Sequence, residues 1–212
     1  MIDREYTTAV LRDLVRIDSV NPALVPGAAG EAEIAGYVAE ALNALDCEVV
    51  VHEHAPGRVS VVGTLPGAGG GRSLMLNAHC DTVGVEDMDD PFSGDIRDGR
   101  LYGRGAYDMK GSLAGCLGAV KALREQDVTL AGDLLIAAVA DEEHASIGTR
   151  EIARLYPVDG AVVTEPTSLR ICLAHKGFVW LEVETQGRAA HGSRPDLGLD
   201  ANVRMGRVLA RL

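Results

Sequence analysis

The chain has 212 residues, 47% of them hydrophobic, which supplies material for a buried core and excludes an intrinsically disordered polypeptide. Its formal net charge of -11 excludes a surface of clustered Lys and Arg, so no nucleic-acid partner is expected. The longest apolar run, LLIAAVA, is too short to span a bilayer and the N-terminus is charged and amphipathic, which predicts no membrane partner. Cys47, Cys80, Cys116 and Cys172 are scattered without a C-x-x-C pair, which points to a reduced, cytoplasmic protein.

Helical spacing of Val10, Leu11, Leu14, Val15 and Ile17 predicts a helix over 3–18, stopped by SVNP. A second amphipathic helix is predicted over 31–45, carrying Ile34, Tyr37, Val38, Leu42 and Leu45. Three strand-like runs follow: CEVVVHE, RVSVVGTL and SLMLNAH. His52 and His54 share one face of the first run, which reads as an exposed edge strand. The Gly-rich stretch 67–72 lacks a G-K-[ST] ending and feeds a strand, so it reads as a flexible hairpin connection and not as a phosphate cradle. SGDIRDGRLY predicts a short hairpin turning at Asp98-Gly99. After Gly103-Arg104-Gly105, a helix is expected over roughly 109–124. Asp108 occupies the position where a dinucleotide fingerprint needs its third Gly, which argues against a nucleotide-binding domain.

DLLIAAVA predicts a buried strand, followed by a helix over 146–155 and a strand GAVVT that Pro166 brings to an end. Helices alternating with apolar strands predict an α/β fold, a mixed and largely parallel sheet with flanking helices. FVWLEVETQ then alternates as a half-exposed strand, GRAAHGSRPDLG is a loop around His191, and an amphipathic helix begins at Asp200. This last part reads as the start of a second domain. The expected division is 1–174 for a catalytic domain and 175–212 for the beginning of an α+β lid.

His79 and Asp81 stand two apart at the end of an apolar strand, on one face. They read either as a satisfied polar pair or as a metal ligand with the carboxylate that orients it. The pattern of apolar strand followed by carboxylate repeats at Asp141-Glu142-Glu143 and at Glu165. Ligands of such sheets bind beyond the carboxyl ends of the strands, where all these residues fall. Converging carboxylates repel unless a cation lies between them, and mixed N/O ligation suits zinc, cobalt or manganese. Adjacent Glu142 and Glu143 can diverge, one toward a metal and one toward a water as general base. The competing reading of the acidic run is a solvated loop.

The stretches LVRIDSVNP, NAHCDTV, DDPFSG, GRLYGRGAYDMKGS, DEEHASIGT, TEPT and GRAAHGSRPDLGLDA resemble, in order, the M20 metallopeptidase family. Its members include acetylornithine deacetylase, succinyl-diaminopimelate desuccinylase, aminoacylase and carboxypeptidase G. The resemblance implies a zinc-peptidase-like catalytic domain in which His79 is a metal ligand and Asp81 orients it. It implies that Asp108 bridges two zinc ions, that Glu143 and Glu165 ligate one each, and that Glu142 is the general base. It makes His191 a lid histidine that polarises the scissile carbonyl in a partner's site, with homodimerisation through the lid. A cis peptide between Asp108 and Met109 is implied as well. The expected function is metal-dependent hydrolysis of the amide bond of an N-acyl amino acid or small peptide, a deacetylase, desuccinylase or dipeptidase type of reaction. The metal implied is Zn(2+), with Co(2+) or Mn(2+) as alternatives. Family chains continue past the residues matched here and supply a second histidine ligand. The 212-residue chain is therefore expected to carry a half-built dinuclear site with little or no turnover. The alternative is a truncated, catalytically inactive metal-binding fragment or partner protein.

Overall fold

Val10, Leu14 and Val15 lie on one stripe of α1, Arg4–Arg16, and all three are buried. The helix begins where the Asp3 carboxylate accepts a hydrogen bond from the Tyr6 N–H, satisfying a donor that the first turn leaves open. The same pattern over Ile34, Ala35, Val38 and Leu42 forms α2, Ala32–Ala44. The computed structural model describes residues 1–174, 177, 179 and 181–212. The chain divides into two units, Met1–Arg170 and Ile171–Leu212.

The strands of the first unit are β1, Glu48–Ala55; β2, Arg58–Leu65; β3, Leu74–His79; the hairpin β4, Ile96–Arg97, and β5, Arg100–Leu101; β6, Leu134–Val139; and β7, Gly160–Val163. An irregular turn over Ala106–Lys110 leads into α3, Gly111–Glu125, and α4 spans Ile147–Leu155. The main sheet has the order β1-β2-β6-β3-β7. β6, β3 and β7 run parallel, while β1 and β2 pair antiparallel, and β2 also runs antiparallel to β6. The fold is thus α/β with a mixed sheet, parallel where β3 sits.

β6 is apolar along its whole length and fully buried, as a strand covered on both faces must be. One face packs on α1, α2 and α3 through Leu14, Ile34, Leu42, Leu113, Leu117 and Ile136; the other packs on Ile152 of α4. Replacing Leu113 or Leu117 with Ala in such a layer would cost roughly 2–5 kcal/mol.

The Gly-rich connection differs from the expected hairpin. β2 and β3 are not neighbours, because β6 lies between them. The connection instead packs against 130–133, with Gly71 N–H donating to the Ala131 carbonyl and Ala68 N–H to that of Leu130. A Cβ on Gly67 or Gly71 would fall 2.5 Å from that backbone, so these glycines serve close approach.

In the second unit, α5 spans Ala201–Leu209, capped by the Asp200 carboxylate on Asn202 and Val203 N–H. An antiparallel bridge joins Arg188 to Leu199. Of the strand expected over 178–186, Phe178 and Trp180 lie outside the described residues, and 181–186 take no regular strand. Leu181 is exposed, as is Val183, so the alternation there has no apolar layer to pack against among the described residues. His175 also lies outside the described residues. Among the described residues, no helix is long and apolar enough to cross a membrane.

Candidate metal centre

The parallel pairing of β3 with β6 and β7 brings three strand ends together. His79 closes β3, the turn 141–143 follows β6, and Glu165 follows β7. Thr164 fastens the last of these, its N–H and hydroxyl both donating to the Asn77 carbonyl at 3.0 Å. Asp108 arrives from the irregular turn before α3, where the Asp108–Met109 peptide is cis, as the resemblance implies. Met109 points into the core, and its sulfur lies 3.2 Å from the His79 N–H.

The His79 ring is buried and its two nitrogens face different surroundings. Nδ1 is 2.9 Å from the Asp81 backbone carbonyl. A carbonyl only accepts, so Nδ1 carries a proton, and in the neutral ring Nε2 is the nitrogen left for a ligand. Nε2 lies 3.1 Å from Asp108 Oδ1, 3.7 Å from Glu165 Oε1 and 3.8 Å from Glu142 Oε2. One ligand atom each from His79, Asp108 and Glu165 falls within 4.8 Å of the others. Tetrahedral ligands about 2.0–2.1 Å from an ion stand about 3.4 Å apart, close to the spacings around Nε2. The donor set therefore fits a small divalent ion.

The electrostatics agree. Burial alone would lower the His79 pKa. The Asp108 hydrogen bond and the charges of Asp81, Glu165 and Glu142 outweigh it and bring it up to about 9. Burial, with Glu142, Asp108 and Glu143 nearby, pushes Glu165 up to about 7. Burial also raises Glu143, whereas the hydrogen bond from His79 lowers Asp108. Carboxylates crowded around one imidazole repel one another, and a cation among them would relieve that repulsion.

Asp81 sits differently from expectation. Its backbone carbonyl, not its carboxylate, meets His79 Nδ1; Oδ1 lies 3.7 Å away. The carboxylate accepts the backbone N–H groups of Glu142 at 3.0 Å and Glu143 at 3.1 Å, and the Asn21 amide at 2.7 Å. Asp81 thus fixes the turn bearing both glutamates as well as the imidazole. Glu143 is not among the three residues whose ligand atoms cluster. His191 belongs to the second unit, where it is exposed and its Nδ1 is 2.9 Å from Ser193 Oγ. His144 is half-exposed at its side chain, 3.8 Å from Asp141 Oδ1. His52 and His54 are not bare surface: His52 meets the Tyr156 hydroxyl, and His54, nearly buried at its side chain, joins Glu151 to Ser60.

Sequence reasoning missed a layer beneath these residues. Arg58 grips Glu31 through two hydrogen bonds of 2.7 and 2.8 Å and donates a third to Asp141 Oδ1 at 2.7 Å. Asn21 joins Asp141 to Asp81, and Glu31 also accepts the Asp141 N–H. Glu31, Asn21, Asp81 and Asp141 are all buried. Asp141 takes a positive φ of 67°, which an Asp tolerates when its surroundings hold it. The available signal was a cation opening a strand, opposite an acid that follows a buried one; only antiparallel pairing of β2 with β6 joins them.

A family model for peptidase family M20/M25/M40 matches residues 75–201. Two curated relatives from strains of Staphylococcus epidermidis, both named probable succinyl-diaminopimelate desuccinylase, are 31% identical over 199 residues. Those alignments take in 91% of this chain and 47% of each relative, so the chain spans about half their length. Among solved structures, a tripeptidase from Staphylococcus aureus superposes with a TM-score of 0.71 at 21% identity, over 100% of this chain and 57% of that one. An M20 family metallo-carboxypeptidase from Sulfolobus solfataricus gives 0.65 at 21% identity, over 76% and 37%. A Bacillus subtilis protein described as a dinuclear metal binding peptidase from the M20 family gives 0.53 at 18% identity, over 75% and 42%. At these identities the structures speak for the fold. With the family model spanning more than half of its residues, the chain belongs to peptidase family M20/M25/M40.

Proposed function

We propose that this chain carries the metal-binding half of a hydrolase that cleaves the amide bond of an N-acyl amino acid or small peptide. The observation that carries the reading is the meeting of Asp108, Glu165 and Glu142 around a single nitrogen of His79. In this reading His79, Asp108 and Glu165 would hold one zinc ion, and Asp108 and Glu143 would be the residues to hold a second. When bound, such ions make water acidic enough to ionise near neutrality and polarise the scissile carbonyl. Glu142 takes the proton from the attacking water and passes it to the leaving nitrogen. One C–O bond forms and one C–N bond breaks, giving a carboxylate and an amine. Asp81 sets both ends of this arrangement, through its carbonyl on His79 and its carboxylate on the Glu142 and Glu143 amides. His191 is assigned to the substrate carbonyl, acting within a homodimer formed through the second unit. The names of the curated relatives favour N-succinyl amino acids as the first substrates to try.

The test is hydrolysis of N-acetyl and N-succinyl amino acids and of dipeptides by the zinc-loaded chain beside Glu142→Gln. A general base contributes about 10²–10⁴-fold, so the variant should hold zinc and lose activity by that factor. Equal activity in the two proteins would remove Glu142 from the role. A second reading, a metal-binding but inactive chain, is favoured by the single set of clustered ligand atoms among the described residues, that of His79, Asp108 and Glu165, which suffices for one ion. Zinc binding without turnover of any of these substrates would establish it.

A further inference from the structure

Asn21 lies between the two buried carboxylates of the layer under the centre. Its Nδ2 donates to Asp81 Oδ2 at 2.7 Å and to Asp141 Oδ1 at 3.1 Å, while its Oδ1 accepts the Ala23 N–H at 2.9 Å. All three side-chain groups are buried. An amide suits this place because its two N–H hydrogens serve two acceptors without adding charge. A Lys would neutralise an aspartate, and an Asp would bring a third carboxylate against two.

What the two aspartates hold gives Asn21 its significance. Asp81 accepts the N–H groups of both Glu142 and Glu143. Asp141 opens the same turn with a positive φ, and its Oδ2 accepts the Ile147 N–H at 3.4 Å, at the turn's exit into α4. Asn21 therefore bridges the turn's first residue to the carboxylate that pins the next two. Its own backbone is tied to the strand end, since its N–H donates to the Thr82 carbonyl at 2.9 Å. The neighbouring Ser19 ties the same loop to the Cys80 carbonyl through its hydroxyl at 2.8 Å, a bond that goes to neither aspartate.

We infer that Asn21 is a positioning residue. By clamping Asp81 to Asp141, it sets the direction in which the Glu142 and Glu143 carboxylates leave the turn. This rests on the hydrolase reading for its consequence in catalysis, where a misplacement of about 1 Å costs about 10²-fold. The clamp itself is a property of the chain that can be measured without metal or substrate.

The experiment is amide hydrogen exchange by NMR on the 212-residue chain, comparing wild type with Asn21→Ala, Asn21→Ser and Ser19→Ala. With Asn21→Ala, exchange at Glu142 and Glu143 should accelerate about tenfold or more, while His79 and Val139 stay within about twofold of wild type. Asn21→Ser, which keeps one donor, should fall between. Ser19→Ala should leave Glu142 and Glu143 near wild type. Wild-type exchange at Glu142 and Glu143 in the Asn21 variants would overturn the proposal. So would equal loosening by Ser19→Ala, or a loss of protection that takes in His79 and Val139 in both Asn21 variants. Where the zinc-loaded protein turns over substrate, Asn21→Ala should lower kcat about 10–100-fold at unchanged KM. Faster exchange in a protein that hydrolyses nothing leaves the clamp standing and rejects the hydrolase reading. Unchanged exchange in an active enzyme rejects the clamp alone.

Discussion

The carboxylates at the strand ends fall into a buried floor and a half-exposed rim, and the two are neutralised in opposite ways. In the floor, Glu31 and Asp141 share the Arg58 guanidinium, while Asp81 accepts three N–H donors. Burial would raise the Asp141 pKa, but the Asn21 amide and Arg58 hold it below its usual value. In the rim, Asp108, Glu142 and Glu165 reach the same imidazole nitrogen, and Glu165 is pushed up to about 7. The floor satisfies itself with groups of this chain, whereas the rim concentrates charge at a point. The first arrangement suits a scaffold and the second a site that receives a cation.

The largest effect expected from separating the two comes from Arg58→Ala. Removing one partner of a buried ion pair costs about 3–5 kcal/mol, because Glu31 and Asp141 would remain buried without their countercharge. Urea or thermal unfolding reads this directly. A loss under about 1 kcal/mol would mean that the floor is better hydrated than its burial implies.

Alkaline unfolding reads a partly buried acid outside both floor and rim. Burial and the neighbouring Asp13 raise the Tyr37 pKa from 10.0 to about 12. A raised folded-state value means that the contribution is complete below the unfolded value and is lost as pH rises through the folded one. Stability should therefore fall between pH 10 and about 12, and Tyr37→Phe should flatten that limb. A variant that follows the wild-type curve would assign the loss to other groups, the buried thiols Cys47 and Cys116 among them.

The smallest effect belongs to a pair with the same chemistry as Arg58–Glu31 but none of its burial. In the second unit Arg194 grips Asp196 with hydrogen bonds of 2.7 and 2.9 Å, both side chains being more than half exposed. Arg194→Ala should leave Tm unchanged within error, since solvent and salt screen an exposed pair. A clear drop in Tm would show that this pair is shielded in solution.

Much of this was legible in the sequence. Apolar runs ending in His79, Asp141 and Thr164-Glu165 marked where parallel strands would deliver polar groups, and the structure gathers His79, Glu142 and Glu165 there. Asp108 was visible as a carboxylate in a Gly-rich turn, but its approach to His79 and the cis bond that follows came from the family resemblance. What stayed hidden depended on strand order. Periodicity shows that β2 is a strand; it does not show that β6 inserts between β2 and β3, or that β2 runs antiparallel to it. Arg58 therefore read as the start of a strand, Glu31 as the start of a helix and Asn21 as part of a stop signal. Each is a polar residue at an element boundary, where solvent exposure is the ordinary outcome. Of the strand expected over 178–186, the described residues 181–186 take no strand for a related reason, because alternation becomes a strand only where a partner edge and an apolar layer exist.

The central claim, that the rim is built to receive a metal ion, is tested most directly by zinc content after dialysis of the 212-residue chain, wild type beside His79→Ala. The account predicts about one zinc per chain in the wild type, lost in His79→Ala, because Nε2 is the nitrogen ligand of the clustered set. Wild-type protein without zinc, or His79→Ala that retains it, would contradict the account.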